Sequence, residues 1–277
     1  MKKVDIALIS YNQELYISQA IESILMQETG DDIELNLVIA DDCSTDKTLD
    51  IIKSYLSQIS YTYQILESSV NLGISKNYKR IFENCKGDYI AILEGDDYWA
   101  SPYHIENHIR FMDKNRFCSL SMNSIVRKIQ DKQEFITPGW DCKNDFKLID
   151  TKCQITQGNQ LGNLSACVIR TESIKKLPVS MYDLYIADWM LGVMLSQQGL
   201  LAILKEPTSV YRLNSNSQWA SLSKQEQKKE LIRLSHEYDD FQKCKFHHYW
   251  EIYRNNLTKK KSTVFRKMVK KIKSLFK

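Results

Sequence analysis

The chain has 277 residues and a formal net charge of +4 at pH 7. Hydrophobic residues make up 43% of it and charged residues 26%, which is typical of a globular protein and excludes a disordered or collagen-like chain. No apolar run approaches the roughly eighteen residues of a membrane-spanning helix, and the run at residues 4–9 is too short for the core of a secretory signal. We therefore expect a cytoplasmic protein without a transmembrane helix.

Cysteine usage and charge distribution narrow the class further. The seven cysteines are odd in number and lack a CxxC pair, so we interpret them as reduced, inert packing residues. Nine Lys and Arg and no acidic residue lie within residues 258–277, so the positive charge belongs to the C-terminal segment. A local basic segment is an interaction surface, and we expect no nucleic-acid partner.

The first hundred residues alternate between strand and helix patterns. Apolar runs predict strands at residues 4–10, 35–40, 61–66 and 88–93. Helical spacing predicts helices at residues 14–27, 46–57 and 74–84. This alternation is typical of parallel strands joined by right-handed crossovers, so the fold class is α/β.

The pattern is looser beyond residue 100. It predicts helices at residues 102–114 and 188–198 and one long polar helix at 222–246. It also predicts strands at residues 118–129, 165–170 and 200–205. His104 and His108 are four residues apart on a predicted helix, but no third zinc ligand accompanies them, so we expect packing or surface residues.

Polar segments follow each of the first four predicted strands. Ligands bind beyond the carboxyl ends of the strands in open parallel sheets, so we expect these segments to meet along one edge. They are Ser10-Tyr11-Asn12, Asp41-Asp42-Cys43-Ser44-Thr45-Asp46, Asn71-Leu72-Gly73 and Glu94-Gly95-Asp96-Asp97.

The acidic turn at residues 94–97 follows a strand that must be buried on both faces. Its three carboxylates repel one another unless a cation joins them, and carboxylate oxygens suit Mg²⁺ or Mn²⁺. A turn that only caps the next helix is the alternative. Capping by Ser44 or Thr45 explains part of the second segment, but it leaves Asp41 and Asp42 without a role, which favours a binding site.

Together the four segments resemble the nucleotide-binding half of the family 2 glycosyltransferases, which have the GT-A fold. The match is to the family motifs T/S-Y-N, DDxSTD, NxGxxxxN and DXD, and it covers roughly residues 4–115. The resemblance implies a Rossmann-like, mostly parallel sheet with a C-terminal helical extension. It also implies a GT-A catalytic domain at residues 1–220, with a donor half at 1–115 and an acceptor half at 116–220, followed by helices at 221–277.

The same resemblance implies the donor site. It comprises Ser10, Tyr11, Asn12, Asp41, Asp42, Asn71, Lys76, Glu94, Gly95, Asp96 and Arg212. Tyr11 and Asp41 are expected on the base and Lys76 near the diphosphate or sugar. The metal, Mn²⁺ or Mg²⁺, is expected at Asp96 with Asp97 beside it.

Two positions depart from the family pattern, and one candidate base lies in the second half. Glu94 replaces the first acid of DXD and Asn214 replaces the histidine of VYRxH, so the role of each stays open. Asp188, preceded by Ala187, stands where the family carries E/D-D-W. The resemblance implies that it is the general base of an inverting transfer; a helix N-cap is the alternative. Asn163 and Ser165 are expected on the acceptor side.

Residues 261–276 combine lysines with apolar residues at helical spacing, as in a basic amphipathic helix. Such a helix binds an anionic membrane surface, although packing on the enzyme body or a disordered end are alternatives. We therefore expect a peripheral protein at the inner face of the cell membrane. It would move a sugar, from a UDP-sugar or else a dTDP- or GDP-sugar, to a glycan or lipid-linked acceptor in capsule, lipopolysaccharide or other polysaccharide synthesis.

Two other functions remain open at the level of sequence. A nucleotidyltransferase also uses acids and metal on an α/β sheet, but it would need a glycine-rich N-terminal loop that this chain lacks. A catalytically degenerate nucleotide-sugar-binding or membrane-recruitment module is the non-enzyme alternative. The oligomeric state is left open.

Overall fold

A computed structural model of the chain describes residues 1–129, 132–136, 144–185, 188–213, 219 and 222–258. Within these ranges one mixed sheet has the strand order β3-β2-β1-β4-β9-β6-β10-β5, with β7 paired to β6 and β8 to β10. The strands are β1 (Lys2–Ser10), β2 (Ile33–Asp41), β3 (Thr62–Leu66), β4 (Tyr89–Glu94), β5 (Tyr98–Trp99), β6 (Cys118–Ile129), β7 (Lys132–Ile136), β8 (Phe146–Ile149), β9 (Cys167–Arg170) and β10 (Leu200–Leu213).

Helices cover both faces of the sheet. They are α1 (Ile17–Leu25), α2 (Thr48–Tyr55), α3 (Ile74–Asn84), α4 (His104–Lys114), α5 (Thr151–Thr156), α6 (Thr171–Lys175), α7 (Asp188–Ser196), α8 (Lys224–Phe241) and α9 (His247–Thr258). One apolar core lies between the sheet and α1, α2 and α4, and a second lies between the sheet and α3, α7, α8 and α9. Because β1 contributes Leu8 to the first core and Ile9 to the second, it is apolar on both faces.

The first four long strands are parallel, as the sequence predicts. In the sheet register Ser10 lies beside Asp41 and Ile9 lies beside Glu94, so the carboxyl ends of β1, β2 and β4 are level. The helix expected at residues 14–27 begins only at Ile17. The backbone N–H groups of Gln13 and Glu14 bond to the side chains of Thr48 and Asp46, which ties this stretch to the start of α2.

The second half contains antiparallel strands that the alternating pattern did not predict. β9 runs antiparallel to both neighbours, β4 and β6. β10 continues to Leu213 instead of ending near residue 205, and its register against β6 shifts on both sides of Pro207. A proline inside a strand pattern suggests an end, but here bulges accommodate it and the strand resumes.

The prediction of one helix over residues 222–246 is wrong. α8 ends at Phe241, and Lys243 and Cys244 have positive φ angles of 52° and 57°, which reverse the chain into α9. Neither residue is a usual helix breaker, so the local sequence carries no sign of the turn. Burial of Trp250 against Trp189, with ring centroids 5.3 Å apart, supplies the reason for the turn.

The C-terminal helices share the core of the preceding chain. The Trp189 ring packs against Tyr238, Trp250 and Tyr253 at centroid distances of 5.8, 5.3 and 4.7 Å. Since Trp189 follows Asp188, α8 and α9 support the helix that carries the candidate base. No helix among the described residues is long and apolar enough to cross a bilayer, and residues 261–276 lie outside the described ranges.

His104 and His108 are packing residues, as expected. Both are fully buried between α4 and the sheet. The His104 ring stacks on Trp99 and shares a 2.8 Å hydrogen bond with Thr208, while His108 shares one of 2.7 Å with Ser121. Burial lowers the pKa of His108 from 6.5 to about 4, because a charged imidazole loses its hydration there.

This lowered pKa predicts acid sensitivity of the fold. Below pH 6.5 the unfolded chain takes up a proton at His108 that the folded chain accepts only near pH 4, so stability falls as pH falls through that window. The linkage is worth about 2 kcal/mol between pH 7.5 and pH 5. Urea unfolding at both values should show a smaller pH-dependent loss for His108→Gln than for wild type. The exposed His236, changed to Gln, is the matched control and should leave the loss unchanged.

Candidate active site

The ends of β1 and β2 are joined by side-chain hydrogen bonds. The Ser10 hydroxyl donates to Asp41 Oδ1 at 2.9 Å, and Ser44 donates its N–H to Oδ2 at 2.9 Å and its hydroxyl to Oδ1 at 2.6 Å. Asn12 has a φ of 51°, donates its N–H to Ser44 Oγ at 2.9 Å and accepts from the Thr45 N–H at 2.8 Å. Ser10, Asn12 and Asp41 therefore hold the shape of this edge.

The expected capping of α2 by Ser44 or Thr45 is wrong. Both residues are engaged with the β1 end, and Asp46 Oδ1 accepts from the Thr48 N–H at 2.9 Å instead. Asp46 therefore supplies the bond to the first turn of α2 that a cap would make. Ser44 and Thr45 are left to link two strand ends, which brings the first two predicted segments together.

Asp42 connects the second segment to the third. Its two oxygens accept the backbone N–H groups of Leu72 and Gly73, each at 2.9 Å, and the Gly73 N–H also lies 3.0 Å from Asn71 Oδ1. Gly73 has a φ of 79°, which suits glycine at this tight entry into α3. Asp42 and Asn71 thus aim the first turn of α3, which carries the exposed Lys76, at the edge.

Arg80 is a residue that sequence reasoning missed. It follows Lys76 by four positions and so lies on the same side of α3. Its guanidinium donates to the carbonyl oxygen of Asp41 at 2.6 Å and to Asn77 Oδ1 at 2.7 Å. Helical spacing from Lys76 was the available signal.

Tyr11 follows the end of β1 and has 45% of its surface exposed, which leaves its ring face available for stacking.

Asp97 is the buried anchor of the acidic turn. Its carboxylate accepts the Ser165 hydroxyl at 2.7 Å, the Asn163 amide at 2.8 Å and the Arg212 backbone N–H at 2.9 Å. Burial, followed by the charge of Asp96, raises the pKa of Asp97 to about 7 even though these donors oppose the shift. Both oxygens are occupied, so the contacts favour a role in fixing the turn over direct metal ligation.

Glu94, the first residue of the acidic turn, is also held by protein donors. The Tyr78 hydroxyl donates to Oε1 at 2.8 Å, and the Asn163 amide lies 3.3 Å from Oε2. Burial, then the charges of Asp97 and Asp96, raises the pKa of Glu94 to about 8. Tyr78 resembles an ordinary core residue of α3 in the sequence, which is why its contact with Glu94 could not be predicted.

Arg212 clamps the turn from the opposite strand. Its guanidinium donates to the Asp96 carbonyl at 2.7 Å, bonds to Gln19 of α1 and lies over the Tyr98 ring, 4.6 Å from the centroid. The side chain is buried, and these contacts engage its guanidinium. Arg212 positions the Asp96 backbone, whereas phosphate binding by this residue stays a prediction. Asn214 lies outside the described residues.

Gly95 is packed closely against two side chains at the turn. Its N–H donates to the Ile9 carbonyl at 2.8 Å, and a Cβ here would collide with Gln13 Oε1 and come within 2.8 Å of Ile17 Cδ1. Gly95→Ala is therefore expected to lower the free energy of unfolding by about 1–3 kcal/mol and to displace Asp96. Urea denaturation measures the first effect and ligand-induced thermal shift the second. The control is Ser69→Ala at an exposed position, which should leave both measurements unchanged. Gly87→Ala would be a poor control because a Cβ there would collide with the Lys3 backbone.

Asp188 is the first residue of α7. Burial raises its pKa, against hydrogen bonds from Asn159 and from the Trp189 N–H, the latter 2.9 Å from Oδ1. Burial is the main cause of the raised pKa values of Glu94 and Tyr211, and the charge of Asp188 is a smaller cause in both, which indicates that Asp188 lies near them. A raised carboxyl pKa strengthens a general base. Ala187 lies outside the described residues.

The donor set fits a hard divalent cation. Glu94, Asp96 and Asp97 concentrate carboxylate charge that burial leaves poorly solvated, as the raised pKa values of Glu94 and Asp97 show. The Asn163 Oδ1 atom, next to these groups, is buried and has no hydrogen-bond partner among the described residues. Oxygen ligands of this kind suit Mg²⁺ or Mn²⁺.

The architecture identifies the fold. The chain aligns with Staphylococcus aureus TarS, in a crystal structure with UDP-GlcNAc, at a TM-score of 0.62 and 18% identity over 84% of this chain and 65% of that one. It aligns with the mannosyltransferase PcManGT of Pyrobaculum calidifontis, in a structure with GDP-Man and Mn²⁺, at a TM-score of 0.60 and 14% identity over 84% and 63%. The fold is GT-A.

The family follows from the sequence match. Residues 5–174 match glycosyl transferase family 2, and the chain belongs to that family. An uncharacterized protein of Mycobacterium tuberculosis is 28% identical over 221 residues, which cover 79% of this chain. The chain spans 61% of the length of that relative.

Proposed function

We propose that the protein transfers a sugar from a nucleotide diphosphate sugar to a glycan or lipid-linked acceptor, with inversion at the anomeric carbon. One observation carries the proposal: Glu94 ends β4 level with the ends of β1 and β2, so the acidic turn at residues 94–97 and the Asp41 loop meet at the carboxyl edge of the sheet. An acidic turn beside a polar loop suits a divalent metal and the diphosphate that it binds, and Asp188 is the proposed base. Membership of the family supports the same reaction class.

The donor half of the site has distinct tasks for its residues. The exposed Tyr11 ring offers a stacking face for the base, and the Asp41 loop forms the adjoining wall. Lys76 and the first turn of α3 face the diphosphate. Asp96, with Glu94 close by, would hold the divalent metal. When bound, the metal supplies Lewis-acid stabilisation of the departing diphosphate.

The acceptor half contributes the base. Asp188 takes the proton from the acceptor hydroxyl as that oxygen attacks the anomeric carbon from the face opposite the diphosphate. The bond from the anomeric carbon to the diphosphate oxygen breaks as the new glycosidic bond forms. Asn163 and Ser165 keep Asp97 and Glu94 in place beneath the reacting centre.

The donor class and location are further parts of the proposal. A UDP-sugar is favoured, supported by the UDP-GlcNAc of the TarS structure, while the GDP-Man of the archaeal structure keeps other bases open. The basic segment at residues 261–276 would hold the enzyme at the inner membrane face, where lipid-linked acceptors lie. Synthesis of a surface polysaccharide fits that location.

A donor panel tests the function directly. The full chain is mixed with Mn²⁺ and UDP-, dTDP- or GDP-sugars, and both thermal stability and slow donor hydrolysis are measured. A donor at one hundred times its dissociation constant should stabilise the fold by about 2.7 kcal/mol. Release of nucleoside diphosphate supports the proposal. Release of pyrophosphate would indicate a nucleotidyltransferase. Donor binding without any turnover, even when acceptor extracts are added, would indicate a catalytically degenerate module.

A further inference from the structure

The turn between α8 and α9 brings together three side chains that bind transition metals. A carboxylate oxygen of Asp239, the sulfur of Cys244 and a ring nitrogen of His247 all lie within 4.8 Å of one another. Tetrahedral Zn²⁺, with bonds of about 2.0–2.3 Å, holds its ligand atoms about 3.5 Å apart. Small side-chain rotations would therefore close the cluster around an ion. The general interpretation of the cysteines as inert packing is wrong for Cys244, which is exposed.

The backbone sets this arrangement before any ion binds. Lys243 and Cys244 both adopt left-handed φ angles, which non-glycine residues seldom do. The Cys244 N–H donates to the Asp239 carbonyl at 2.9 Å, which ties the cysteine to the end of α8. His247 is the first residue of α9 and follows Cys244 by three positions, a short spacing typical of ligands in metal-binding turns.

A buried acceptor without a partner points to a ligand at this turn. Asp239 is 2% exposed. Its Oδ2 atom lies 2.7 Å from His247 Nδ1 and 3.2 Å from Arg254, but Oδ1 is buried and has no hydrogen-bond partner among the described residues. An unmatched carboxylate oxygen in that position is unfavourable, and a cation would satisfy it.

The charged groups in contact with the cluster balance a divalent ion. Glu251 lies one helical turn after His247, with Oε1 3.6 Å from His247 Nε2. A Cys244 thiolate together with Asp239 and Glu251 supplies three negative charges, and Arg254 supplies one positive charge. A doubly charged ion neutralises the remainder. Glu251 is then placed either to complete the coordination or to orient the imidazole.

We propose that Asp239, Cys244 and His247 form a Zn²⁺ site that fastens α8 to α9. A mixture of thiolate, imidazole and carboxylate selects Zn²⁺ over the Mg²⁺ or Mn²⁺ of an all-oxygen site. The site is separate from the acidic turn and does not depend on the transfer reaction. Because α8 and α9 pack on Trp189, an occupied site would stiffen the layer behind Asp188.

Cobalt substitution tests the proposal on the full, reduced chain. Co²⁺ is titrated in the presence of excess Mg²⁺, which occupies the oxygen site at the acidic turn. A thiolate-to-cobalt charge-transfer band and intense tetrahedral visible bands are expected in wild type. Both should disappear in Cys244→Ser and persist in Cys153→Ser, the matched control on α5. Absence of the thiolate band, or its persistence in Cys244→Ser, would overturn the site.

Thermal unfolding gives an independent readout. Zn²⁺ at one hundred times its dissociation constant should raise the Tm of wild type by about 5–10 °C and leave Cys244→Ser unchanged. His247→Gln should weaken Zn²⁺ binding at least about tenfold. If His247 and Asp239 form only a hydrogen-bonded brace, His247→Gln would lower the Tm equally with and without Zn²⁺, which would contradict the proposal.

Discussion

Asp188→Asn is expected to lower the transfer rate by about 10²- to 10⁴-fold while leaving donor binding intact. An amide has the size of the carboxylate but cannot accept the acceptor proton, so the variant loses the contribution of a general base. The Trp189 N–H can still bond to the amide oxygen of the substituted side chain, and the fold of α7 should persist. Steady-state kinetics of glycosidic product formation measure the effect, with the loss expected in kcat.

The matched control for this variant is Asp183→Asn. Asp183 lies five residues earlier and is exposed, so its change should leave kcat within about twofold of wild type. Donor hydrolysis and donor-induced thermal shift separate a chemical defect from misfolding. Full activity in Asp188→Asn, or an equal loss of donor binding and turnover, would contradict the assignment of Asp188 as the base.

Asp96→Asn is expected to remove metal-dependent donor binding and to lower kcat/KM by about two to three orders of magnitude. A decrease of this size in kcat/KM is expected because the variant loses several kcal/mol of charge stabilisation on the departing diphosphate. Residual activity should no longer respond to EDTA. Exposed Asp31, changed to Asn, is the control and should retain EDTA sensitivity.

Comparison with Asp97 sharpens this test. Asp97→Asn replaces a carboxylate that accepts three protein donors, so its main expected effect is lower stability with the metal response retained. Asp96→Asn should show the reverse pattern. If Asp97→Asn abolishes the metal response in a folded protein while Asp96→Asn does not, the metal ligand has been assigned to the wrong residue.

Much of the donor half was predictable because its information is local. Apolar runs of strand length and helical spacing located β1 to β4 and α3, and residues 74–84 were predicted at the bounds observed. Parallel strands necessarily place their carboxyl ends on one edge, so the four polar segments were expected to meet. Hydrogen bonds from the Leu72 and Gly73 N–H groups to Asp42 confirm the meeting of the second and third segments.

The antiparallel strands and the turn after α8 were not predictable in the same way. β9 lies between β4 and β6 because distant segments complete each other's hydrogen bonds, which leaves no local pattern. The turn at Lys243 and Cys244 forms because Trp250 must reach Trp189. Such contacts depend on residues far apart in the chain.

The sequence by itself determined the α/β class, the donor edge and the candidate acids, because periodicity and strand-end chemistry are written along consecutive residues. Only the tertiary structure decided which of these acids are held by hydrogen bonds from the protein. It satisfied the Asp97 carboxylate with donors from Asn163, Ser165 and the Arg212 N–H. Which carboxylates are matched by protein donors depends on burial and on distant partners, since the three donors to Asp97 lie 66, 68 and 115 residues away in the chain.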